Sequence, residues 1–99
     1  MKRLIDNIAS WGRVRKITTN GKPITQAIKT LEETHELLEA VNKDNKAEIA
    51  DSIGDIVVTL IMQTELQGMD FEDCVRGAYR EIEHRTGELN EVGDFIKDK

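Results

Sequence analysis

The amino-acid sequence predicts an all-α protein. Three observations carry that expectation: apolar residues recur every three or four positions through most of the chain, proline occurs once, at Pro23, and residues that end or begin helices sit at the breaks between periodic segments. Taken in order, Leu4, Ile8 and Trp11 share one face of a first helix that ends near Gly12 or a few residues later. The stretch Ile17–Pro23, with Asn-Gly followed by Lys-Pro, reads as a loop. A second helix starts near Ile24, with Ile24, Ala27, Ile28, Leu31 and Leu38 as its apolar stripe, and stops around Asn42–Lys46. The third runs from about Ala47 to Gln67 and meets Gly68, a residue suited to a left-handed cap. Asp70, with Asp73 three positions on, caps a fourth helix from Phe71 to about Arg85. After Gly87 the helical period is lost, and Val92, Phe95 and Ile96 around Gly93-Asp94 suit a short turn or hairpin docked on the helices. There is no internal repeat.

Four helices of this length make a thin bundle. Ile49, Ile53, Ile56, Val57, Val58, Leu60 and Ile61 cover far more of the third helix than the stripe of roughly 100° that one contact face needs. A second copy of the chain is the simplest cover for the surplus, so the expected assembly is a homodimer or homotetramer.

The 99 residues, 38% hydrophobic and 33% charged, suit a single domain over residues 1–99 that is neither disordered nor membrane-spanning. The first residues lack the apolar segment of a secretion signal, which points to the cytoplasm. The lone cysteine, Cys74, excludes an internal disulfide and reads as a small buried side chain. A net charge of −5 argues against a sequence-independent grip on nucleic acid. It leaves room for a nucleotide held through a metal ion, which can reverse the local field.

The chemistry-bearing residues are acids. On the third helix Glu48, Asp51, Ser52 and Asp55 fall within one sector of roughly 100°. On the second, Glu33 and Glu36 lie opposite the Ile24/Leu31/Leu38 stripe, with Lys29. Burying several unpaired carboxylates is costly, so protons, bases or metal must neutralise them. Lys29 is one cation among many acids, and an all-oxygen donor set favours a hard ion, Mg²⁺ before Mn²⁺. Two other readings exist. Glu32-x-x-His35 and Glu81-x-x-His84 have the spacing of di-iron carboxylate bundles, but His35 falls on the apolar stripe, away from Glu33 and Glu36. A non-catalytic oligomeric adaptor, docking a basic protein on the acidic stripe, would need no metal.

"KTLEETHELLEA", a spacer and "EIADSIGDIVV" together resemble the MazG-like all-α nucleoside triphosphate pyrophosphohydrolases, whose pattern is Glu-x-x-Glu on one helix and Glu-x-x-Asp on the next. "W-x-R" near the start, "NGKP-x-x-Q-x-x-K-x-x-EE", "AYREIEHRTGELN" and "GDFIK" extend the likeness over nearly the whole chain, in the manner of short stand-alone phage and mobile-element members. The resemblance implies a helical bundle completed by oligomerisation. It also implies Mg²⁺-dependent hydrolysis of a nucleoside triphosphate to the monophosphate and pyrophosphate, for house-cleaning or control of the nucleotide pool. Glu33, Glu36 and Asp55 match the catalytic acids. Ser52 stands where the pattern places another acid, which leaves Asp51 and Glu48 as replacement metal ligands. For substrate contacts the candidates are Trp11, as a stacking surface for the base, and Lys29, Arg80 and Arg85, as cations for the phosphates.

Overall fold

Five helices and a small hairpin make up the computed structural model, which describes residues 1–98: α1 (Lys2–Val14), α2 (Ile17–Asn20), α3 (Pro23–Asn42), α4 (Lys46–Leu66), α5 (Phe71–Ile82), β1 (Gly87–Leu89) and β2 (Phe95–Lys97). The architecture is all-α, as expected, with one helix more than the sequence predicts. The extra helix is α2, a single turn inside the expected loop. Lys16, left-handed at φ 62, reverses the chain after α1. Ile17 then turns inward against the core, and that packing supports a turn whose Thr-Thr-Asn sequence has little helical preference of its own.

The capping residues act as their chemistry suggests. Pro23 occupies the first turn of α3, where a missing N–H costs nothing. The end of α3 is closed by Asp44 at φ 52, with the Asp44 N–H donating to Val41 O (3.0 Å) and the Asn45 N–H to Ala40 O (3.1 Å). The Asn45 side chain then accepts the Glu48 N–H at 3.1 Å and opens α4. Gly68, at φ 67, closes α4, while the Met69 N–H reaches Thr64 O at 2.8 Å. Asp70 accepts the Asp73 N–H at 3.3 Å and starts α5, which stops at Ile82 rather than Arg85.

α3 and α4 form an antiparallel hairpin of helices, and this pair carries more of the packing than any other. Their seam is polar: Gln26 Nε2 donates to Thr59 O (3.5 Å), Thr30 Oγ1 to Thr59 Oγ1 (2.9 Å) and Gln63 Nε2 to Pro23 O (2.9 Å). Gln26, Ser52, Thr59 and Ala40 are buried along it. The apolar core lies on the other side of α4, where Ala9, Ile61 and Met62 are buried and Ile5, Ile8, Ile17, Val57 and Phe71 pack around them. A Cβ on Gly12 would fall on the Met62 sulfur, so glycine is what lets α1 approach α4 this closely.

Three expectations are overturned. The stripe of α3 faces solvent, with Ile24, Leu31 and Leu38 about two-thirds exposed, because α4 packs on the polar face. The hairpin forms, pairing Glu88 with Ile96 and Leu89 with Phe95, but Leu89, Val92, Phe95 and Ile96 remain exposed rather than docked. Cys74 is exposed, on a helix whose main packing partner is α4. The Cα radius of gyration, 15.9 Å, exceeds the about 13 Å expected for a close-packed domain of this length.

Candidate active site

The turn between α3 and α4 brings two acidic faces together. On α3, Glu36, Glu39 and Lys43 follow one another at i, i+3 and i+7; on α4, Glu48, Asp51, Ser52 and Asp55 stand at i, i+3, i+4 and i+7. These seven residues line one groove of about 370 Å³. The stripe read from the sequence on α4 is therefore a real wall of a concave site. Glu39 and Lys43 escaped the sequence reading, although their helical spacing from Glu36 places them on its face. Glu39 also accepts from His35 Nε2 at 2.8 Å, which leaves His35 on the outer rim.

Burial is uneven across these acids. Glu36, Glu48, Asp51 and Asp55 are exposed in the groove, contrary to the expectation that the α4 acids need burial. Glu33 bears the cost instead. Its Oε2 is shut off from solvent and has no hydrogen-bond partner. Burial lifts the Glu33 carboxyl above its ordinary range; the adjacent Glu36, within hydrogen-bonding reach, and the Asp55 charge lift it further, while Lys29 opposes them. Glu33, Glu36, Asp55 and Lys29 thus form one electrostatic group spanning both helices.

Ser52 is 6% exposed and sits in the floor of the groove. A carboxylate there would be desolvated between the helices, whereas Asp51 and Glu48 project from the same wall into water. Glu48 also occupies the third position of α4, where a negative charge is favoured by the helix N-terminus.

A second hollow, of about 470 Å³, opens on the other side of Asp55 and is lined by Asn7, Ile8, Trp11, Asp55 and Val58. Trp11 is 43% exposed, and the Arg15 guanidinium lies 4.6 Å from its ring centroid. Asp55 belongs to both cavities, so an aromatic, largely apolar hollow and an acidic groove share one wall. Arg80 and Arg85 line neither. Arg80 is exposed on α5, and Arg85 borders a separate hollow with Glu81, His84, Thr86, Lys97 and Asp98.

The profile of the MazG nucleotide pyrophosphohydrolase domain matches residues 22–90, more than half of the chain. This chain belongs to the MazG family. The matched stretch contains both acidic helices, and it leaves α1 and its Trp11 outside. A relative, described as an uncharacterized 18.2 kDa protein in the rep-hol intergenic region of Haemophilus phage HP1, is 34% identical over 70 residues. That alignment takes in 71% of this chain, which spans only 43% of the phage protein's length. No solved structure gives a significant match.

Glu33, Glu36 and Asp55 all lie within the matched stretch. The donors are all oxygen, and Glu33 Oε2 is an orphaned buried acceptor, so the residues present fit a hard divalent cation. Among the described residues, no three acids, histidines or cysteines converge into a ready-made chelating cluster. Mutual repulsion between exposed carboxylates favours such splaying until a cation is bound.

Proposed function

We propose that this chain is a divalent-metal-dependent nucleoside triphosphate pyrophosphohydrolase, working with Mg²⁺ and, as second choice, Mn²⁺. It hydrolyses a standard, deoxy or modified nucleoside triphosphate between the α and β phosphates, yielding the monophosphate and pyrophosphate. The observation that carries this reading, beside the family match, is the shared Asp55 wall. It puts an aromatic hollow of suitable character for a base next to an acidic groove of suitable character for metal-bound phosphates.

Glu33, Glu36, Asp51 and Asp55 would hold the metal, with Glu48 as a further ligand or water-orienting group. Bound there, the cation would polarise phosphate oxygens and offset the charge of the polyphosphate. Glu33, with its buried oxygen, and the exposed Glu36 beside it repel each other until a cation or a proton relieves the pair. Asp55 sits between base and phosphate and orients the junction of the two. Trp11 stacks on the base, and Lys29 moderates the charge of Glu33. Arg80 and Arg85 would serve phosphate only from a neighbouring subunit.

The exposed face of α3 supports a homodimer or homotetramer. No described helix is long and apolar enough to cross a membrane. We further propose that the protein acts on the nucleotide pool of the cytoplasm.

Incubation with a panel of standard, deoxy and modified nucleoside triphosphates tests the activity, with Mg²⁺, with Mn²⁺ and with EDTA. Release of pyrophosphate and monophosphate in equal amounts, abolished by EDTA, is the expected result. Release of inorganic phosphate and a diphosphate instead would refute the cleavage position. Silence across the panel from folded protein would refute the activity.

A further inference from the structure

The groove has a direction. α3 and α4 are antiparallel, so cross-helix levels can be followed from one end to the other: Glu33 near Asp55, then Glu36 beside Asp51 and Ser52, then Glu39 near Glu48, and last Lys43 at the interhelical turn. Asp55 and Glu48 are two turns apart, about 10 Å along α4. The aromatic hollow opens only at the Asp55 end. Among the described residues Lys43 is the only cation that lines the groove, facing five carboxylates, and it forms no ion pair with any of them.

An ammonium group at the far end of an acidic groove has a simple use if the ligand brings its own negative charge to that end. We propose that Lys43 binds the terminal phosphates of the substrate, the part released as pyrophosphate, and so sets the direction of the triphosphate: base toward Trp11, α phosphate at the Glu33/Asp55 level, γ phosphate toward Lys43. This rests on the nucleotide reading above. Lys29 lies at the opposite end, one turn before Glu33, and Arg85 lines another hollow, so neither fills this place. Lys43 is an exposed residue at the end of α3, and its replacement leaves the α3–α4 seam intact.

Titration calorimetry with inorganic pyrophosphate in Mg²⁺, on the wild type and on Lys43→Met and Lys43→Arg, tests the assignment. Inhibition of turnover by pyrophosphate and by the matching monophosphate is measured alongside. Lys43→Met should weaken pyrophosphate binding by about tenfold or more, as expected for loss of a charged hydrogen bond. Its affinity for the monophosphate should stay within about twofold, and Lys43→Arg should recover most of the loss. Melting temperatures of all three proteins should agree, which excludes a merely structural effect. Unchanged pyrophosphate affinity in Lys43→Met would overturn the assignment, as would a loss confined to the monophosphate, which would reverse the direction. If the wild type hydrolyses no nucleotide, the functional reading fails. The titration still decides whether Lys43 meets pyrophosphate.

Discussion

Glu33 keeps one carboxyl oxygen away from water with no donor beside it, next to Glu36 and Asp55. Such a residue opposes folding when it is ionised. Its carboxyl is raised above the ordinary Glu value of 4.5, so between that value and its raised one the folded chain binds more protons than the unfolded chain. Stability contributed by this group is therefore present below the ordinary value and lost as pH rises through the raised one. Glu33→Gln replaces the charge with an amide that can donate to its acidic neighbours. Urea unfolding in EDTA at pH 7 should show the variant to be more stable than wild type, with the difference shrinking toward pH 4.5. Turnover in Mg²⁺ should fall by about 10- to 100-fold or more, the range seen when support for a metal site is lost. A variant less stable than wild type at pH 7 without metal would contradict the account of Glu33 burial.

Among the elements, the turn between α3 and α4 sets the spacing of the two acidic faces. Asp44 holds a left-handed conformation there at φ 52, which costs an L-residue roughly 1 kcal/mol. Asn45 then satisfies the Glu48 N–H at the start of α4. Asp44→Gly should raise stability by about 0.5–1 kcal/mol through relief of that strain. Asn45→Ala should lower it by about 1 kcal/mol. Chemical denaturation measures both, and a loss of stability in Asp44→Gly together with no loss in Asn45→Ala would show that the turn is not what closes the helical hairpin. The same turn explains part of what the sequence left unread. Glu39 and Lys43 belong to the groove because α4 packs on the polar face of α3, and a single helix offers no sign of which face its neighbour will cover.

For the whole molecule, the balance between core and exposed apolar surface decides the state in solution. Ala9, Ala40, Ile61 and Met62 are the buried apolar side chains among the described residues, whereas Ile24, Ile28, Leu31, Leu38 and Val41 stand exposed along α3. Chains near this length have little stability to spare, so covering that face should stabilise the fold as well as the assembly. Sedimentation equilibrium of the wild type should give a dimer or tetramer. Leu31→Glu should shift the mass toward the monomer and lower the melting temperature by more than about 5 °C, the equivalent of about 1 kcal/mol at this size. A monomeric wild type, or an unchanged mass in Leu31→Glu, would remove α3 from the interface.

The amino-acid sequence by itself determined the helical class, the capping residues at Asp70 and Gly68, the stripe from Glu48 to Asp55 and each half of the MazG motif, because each depends on neighbours within one or two turns along the chain. Only the tertiary structure decided that Glu33 rather than Asp51 or Asp55 carries the burden of burial. It also showed that Ser52 is floor rather than ligand wall, that Lys43 closes the groove, and that the apolar stripe of α3 faces outward. Those outcomes depend on which faces of α3 and α4 meet. Buried Gln26 and Thr59 and half-buried Thr30 join the helices through hydrogen bonds, and a hydropathy pattern that counts such residues as solvent-facing cannot register that contact.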